Sequence, residues 1–253
     1  MCDVGGAFEA ARKYIRGKKK LMSAKVCEIF IKDVFLVFIG VRDAYMFESF
    51  ACSEDTAVDL IDNLRRIFGV TEKVLILTIE TGDVIVILDH TLRSKLEAEQ
   101  SSAIMQVIDV NGSEPSLSEA SERGALSARI STMVSGALSG HNCAAGVVHV
   151  PIPTIDSIGP VLFAGWCLGY PFVYHYTPDS SASEVGCRAL SMTPLLKVSL
   201  LIEEGPGAVF AGGHPFMEFT APQCFLQAPM SFGSVRFDSI DELVASISTR
   251  VCN

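Results

Sequence analysis

The stretch KVLILTIETGDVIVILD, residues 73–89, decides the fold class. It consists of two runs rich in β-branched and aliphatic residues, separated by Thr81-Gly82, the kind of small-residue break that turns a hairpin. Both runs are almost continuously apolar, with no polar residue at alternate positions. Strands with that pattern belong to a sheet covered on both faces, not to one that shows a face to water. Layers of helix on either side of these strands are therefore expected, and the flanking sequence supplies them.

On the N-terminal side, SEDTAVDLIDNLRRIFGV (53–70) places Val58, Ile61, Leu64 and Phe68 at helical spacing. Acids sit in its first turn, and Gly69 stops it. DAYMFESF (43–50) reads as a short strand, and residues 26–40 as an apolar helix. The most apolar segment of that region, 26–41, is shorter than the roughly 20 residues of a membrane-spanning helix. It also carries Glu28, Lys32 and Asp33, so it reads as a core helix. On the C-terminal side the order is a short helix TLRSKLEAE, a strand IMQVIDV and a small-residue helix over 117–138. The strand GVVHVPIP, a helix over 158–168 and the strand FVYHY then form a unit of suitable length for a β-helix-β crossover. Strands are expected at LLKVSLLI, AVFAGG and MEFTAPQCF, and DSIDELVASISTRV closes as an amphipathic helix capped by Asp238 or Ser239. Interleaved helices and strands with a strand-rich final third predict an α/β or α+β fold: a mixed β-sheet with helices packed on its faces, in a single domain.

The chain has 253 residues, of which 49% are hydrophobic and 19% charged, with a mean hydropathy of +0.37. The charged fraction falls below the globular average of about 25%, which implies a deep core or a surface covered by a partner. Net charge is −9, distributed unevenly. Residues 1–25 hold seven Lys/Arg against two acids, a local +5 that leaves the rest at −14. Residues 1–24 are expected to be a flexible basic arm, because a run such as ARKYIRGKKK (11–20) reads first as a solvated face. Residues 25–253 are expected to form the globular body. A body so acidic argues against nucleic-acid binding, which needs a basic face. Eight cysteines without close pairs read as reduced, buried residues, and no secretory leader is read at the start, so a cytoplasmic or nuclear location is expected.

Candidate chemistry is sparse. Cys167 follows Trp166 and precedes His175 in an aromatic segment, but it sits at the end of its helix, where the dipole disfavours a thiolate. His141, Cys143 and His149 form a second constellation, whose spacing matches neither zinc sites nor a cysteine-hydrolase motif. Strand alternation sets His149 on the opposite face from Val148. Asp89-His90 follows a strand end, where α/β proteins place chemistry, yet lacks a third partner. The glycines at 205–207 and at 212–213, before His214-Pro215, precede strand-like sequence instead of a helix, so they read as turns and not as a phosphate cradle. No cofactor or metal is expected.

From Lys25 to about Ile202 the order of features resembles an uncharacterised eukaryotic family, known in humans as a chromosome 1 open-reading-frame protein with a domain of unknown function. The pieces that carry the resemblance are the DAYMFES strand, the 74–88 hairpin, MQVIDV, Gly169-Tyr170-Pro171, Cys187, Leu190-Ser191 and Pro194-Leu195. The resemblance implies the same fold and brings no reaction, cofactor or catalytic residue with it. The leading expectation is a non-catalytic component that binds a protein partner or self-associates, without a transmembrane segment or nucleic acid. The alternative is a small hydrolase or transferase using Cys143 or Cys167 with one of His141, His149, His175 or His214.

Overall fold

A computed structural model of the chain describes residues 3–18, 22–48, 50, 52–79, 81–100, 105–141, 146–153, 158–176, 189–191, 193–202, 210, 214–226, 230–232 and 235–237. The decisive stretch forms the antiparallel pair β2 (Val74–Ile79) and β3 (Val84–Leu88), registered Val74↔Leu88 to Thr78↔Val84. Gly82 takes a φ of 89° at the turn between them, a conformation that side chains rarely tolerate. With β1 (Ala44–Met46) antiparallel to β3 and β6 (Val147–Ile152) parallel to β2, they make a four-stranded mixed sheet in the order β1-β3-β2-β6.

Alternation along these strands divides the core in two. Val74, Ile76, Val84, Val86 and Leu88 face a cluster built from α1 (Val4–Gly17), α2 (Ala24–Phe38) and α3 (Glu54–Ile67). Leu75, Leu77, Ile85 and Ile87 face a second cluster that also draws on α4 (Asp89–Gln100), α5 (Ala120–Ser139) and α6 (Pro160–Leu168). Helices on both faces of a mixed sheet make this an α+β fold in a single domain, as the continuous apolar runs imply.

A second, three-stranded sheet has the order β5-β4-β7, with β4 (Gln106–Asp109) antiparallel to β5 (Ser116–Leu117) and parallel to β7 (Phe172–His175). The expected β6-α6-β7 crossover within one sheet is therefore corrected. β6 pairs with β2 and β7 with β4, so α6 bridges two sheets. Strands β8 (Leu195–Ile202) and β9 (His214–Pro222) pair antiparallel and pack Leu200, Ile202, Met217 and Phe219 into the α1–α3 cluster. A short hairpin, β10 (Met230–Phe232) and β11 (Val235–Phe237), follows. The expected C-terminal helix over 238–251 lies outside the described residues.

The flexible basic arm is also corrected. Residues 4–17 form α1, whose Phe8, Ala11 and Ile15 are buried, with the Phe8 ring packed edge-on against Phe35 and Phe68. Arg12 points the other way and donates from Nε and Nη2 to the two carboxylate oxygens of Glu28 on α2, each at 2.8 Å. The basic run masks a helix that has a narrow apolar stripe.

Candidate functional site

Helix α6 starts at Pro160, where the missing N–H costs nothing, and ends at Gly169, whose φ of 73° forms a left-handed cap. Every residue from Leu162 to Leu168 is buried. The helix lies so close to β7 that a side-chain carbon on Gly165 would meet Val173 Cγ1 at 2.5 Å. Val161 stands out at its N-terminal end, 46% exposed.

Beside Val161 a cleft of about 410 Å³ opens between α6, the tail of β1, β7 and β9. Its walls are mostly apolar and aromatic: Val161, Ala164, Leu168, Tyr170, Phe172 and Phe219. A second, more polar lobe of about 420 Å³ shares Met46, Glu48, Leu168, Tyr170 and Glu218 with the first, and reaches Asp33 and Arg42.

The charges of this double cleft divide into paired and unpaired groups. Asp33, buried on apolar helix α2, forms an ion pair with Arg42 Nη1 at 2.7 Å and accepts a hydrogen bond from His214 Nε2 at 2.9 Å, both through the same oxygen, Oδ1. A buried carboxylate without such donors would cost several kcal/mol, so this pairing fixes the start of β9 on α2. Lys197 meets Glu218 Oε1 at 2.9 Å, and Ser199 donates to the same oxygen at 2.7 Å. These two contacts, Ser199 first, hold the Glu218 carboxyl below its ordinary pKa. Among the described residues, Glu48 and Asp83 have no cation within ion-pair reach. Desolvation by the cleft raises the pKa of Glu48, against the attraction of Arg42 and with the repulsion of Asp33 and Asp83 adding to it.

The residues singled out from sequence are held apart. Cys167 is fully buried, and burial pushes its thiol far above the ordinary range, although Lys95 opposes the shift. Lys95 itself is engaged by Asp43 at 2.6 Å and donates to the Trp166 carbonyl at 3.2 Å. No histidine hydrogen-bonds to Cys167 among the described residues. His175 is buried on β7, opposite Asp109 in register. His141 donates from Nδ1 to the Ala137 carbonyl at 2.9 Å, closing the end of α5. His149 shares a hydrogen bond with Thr78 Oγ1 at 2.8 Å and lies 3.5 Å from Glu54 Oε2. Both contacts use Nε2, whereas a hydroxyl-histidine-carboxylate relay needs both ring nitrogens. Cys143 lies outside the described residues. Asp89 pairs with Arg93 at 2.8 Å within α4, and His90 lies 3.9 Å from Glu72. Among the described residues no group of His, Cys, Asp or Glu is placed to hold a metal ion, and no helix is long and apolar enough to cross a membrane.

Sequence reasoning missed Glu48, Asp83, Tyr170, Glu218 and the Asp33-Arg42-His214 cluster. One signal for the cluster was present: a charge at Asp33 inside an apolar helix demands a partner. No curated protein and no solved structure matches the chain. A family model does, over residues 12–232, a span that contains the Lys25 to Ile202 region and is consistent with an uncharacterised family. The chain belongs to the family described as Domain of unknown function (DUF4504).

Proposed function

We propose that this chain is a non-catalytic component that works by binding a protein partner, and that the cleft between α6, β7 and β9 is where the partner docks. The occupant is a segment that presents apolar or aromatic side chains next to a lysine or arginine. The observation that carries this reading is the charge balance of the cleft. Its walls are apolar, its arginine and lysine are already neutralised, and the charges left over at Glu48 and Asp83 are acidic. A cation docked there would replace water lost by Glu48, while the apolar walls supply the area that drives association. Exposure of Val161 at the lip extends the apolar surface beyond the cavity, which suits a polypeptide segment better than an enclosed small molecule. The thiol-enzyme alternative draws no support from the surroundings of Cys167. Eight cysteines without close pairs favour a cytoplasmic or nuclear setting, and the acidic body speaks against nucleic acid as the partner.

Selection of a displayed peptide library on the immobilised full-length chain tests the proposal. Enriched peptides are expected to place Lys or Arg beside apolar or aromatic residues. Val161→Asp and Glu48→Lys should each weaken a synthetic version by about tenfold or more, the equivalent of roughly 1.4 kcal/mol. Val161→Asp puts an acid at a helix N-terminus, where it does not weaken the fold. Enrichment of acidic peptides, or binding indifferent to both substitutions, would overturn the reading.

A further inference from the structure

We infer that the chain pairs with a second copy of itself through the free edge of β8, as an antiparallel two-fold pair centred on Val198. Strand β8 is eight residues long and hydrogen-bonds to β9 on one side, with no strand on its other edge among the described residues. Such an edge is a template for another strand, and proteins usually blunt it with charges, proline or a bulge. Here the bulge lies on β9, where Leu200 and Leu201 face Met217 and Pro215 and leave Phe216 unpaired, so β8 itself stays regular. The one charge within β8 is Lys197, and Glu218 already engages it. Three leucines remain in water: Leu195 at 42%, Leu196 at 43% and Leu201 at 54% exposure.

The order of residues identifies the partner. From 195 to 201 the strand reads Leu-Leu-Lys-Val-Ser-Leu-Leu, the same in both directions apart from the exchange of Lys197 with Ser199. A two-fold interface must be complementary to itself, and an antiparallel pair needs this mirror order. Centred on Val198, it sets Leu195 opposite Leu201 of the second copy on one face, and Leu196 opposite Leu200 with Val198 opposite Val198 on the other. Lys197 then faces Ser199. Moving the centre to Ser199 would oppose Lys197 to Leu201, and moving it to Lys197 would set lysine against lysine. A centre between residues would bring outward side chains against inward ones. The Val198 register is the one that matches apolar with apolar throughout.

Sedimentation of the full-length chain is expected to show a reversible dimer. Leu195→Lys and Leu201→Lys, both at exposed positions that leave the core intact, should each raise the dissociation constant by about a hundredfold, because each change enters the interface twice. Val198→Cys should oxidise to a disulfide between equivalent residues, identified by peptide mass, since facing positions of antiparallel strands lie within disulfide reach. Neither leucine lines the cleft, so peptide binding should survive these changes. A chain that sediments as a monomer, or a dimer that keeps its affinity in both lysine variants and forms no 198–198 link, would overturn the proposal. Either result would assign the edge to another protein or to a different segment of the same chain.

Discussion

Asp33 and Cys167 are both buried in apolar helices, and they differ in the partners they find there. Asp33 Oδ1 meets the Arg42 guanidinium nearby and hydrogen-bonds to His214, 181 residues away. The thiol has no such donor and stays neutral, because desolvation outweighs the pull of Lys95. The place of Cys167 was legible in the sequence, since the end of an apolar helix is a poor setting for a thiolate. The partners of Asp33 were not, because nothing local links residue 33 to residue 214. Cys167→Ser should cost about 1–3 kcal/mol of stability, the penalty for burying a hydroxyl without a partner, and leave peptide binding unchanged. In the folded wild-type chain, Cys167 should react with an electrophilic probe only as fast as the protein opens. Rapid labelling of Cys167 near neutral pH, ahead of the other thiols, would contradict this account.

Among the elements, the hairpin β2-β3, the helix α3 and the apolar helix α2 were read correctly because each carries its own period and its own stops. Helix α1 was misread. Phe8, Ala11 and Ile15 recur at helical spacing, but the run of lysines and arginines around them outweighed three apolar positions. The β6-α6-β7 unit failed for another reason: periodicity assigns strands but not their neighbours, and α6 joins two sheets. The docking of α1 carries a pH signature. The hydrogen bond from Arg12, more than any other influence, holds the Glu28 carboxyl below its ordinary pKa. A carboxylate with a lowered folded pKa adds stability above the unfolded value of about 4.3, and that stability is lost as pH falls through the folded value. Both side chains are about one-third exposed, so the pair contributes in the surface range. Arg12→Ala should therefore lower stability by about 0.2–1 kcal/mol at neutral pH. The gap from wild type should close once Glu28 is protonated. Urea unfolding of both proteins across the acid range checks this, and a gap independent of pH would assign the effect of Arg12 to packing alone.

For the whole molecule, the double-faced sheet was implied by two apolar runs, and the single α+β domain followed from it. The cleft was not legible, because its walls come from β1, α6, β7 and β9, and no motif spans them. It exists where α6 leaves the central sheet for β7 and where β9, tied to α2 by His214 and Asp33, closes from the other side. The family match covers these segments and supplies no chemistry, so the claim that the chain works by binding at this cleft rests on its shape and leftover charge. Amide hydrogen exchange of the full-length chain, with and without a selected apolar-basic peptide, tests that claim most directly. The account predicts slower exchange on binding in α6, β7 and β9, with α3 and β6, which line neither lobe of the cleft, unchanged. Protection confined to regions away from these three elements, or no protection at saturating peptide, would contradict it.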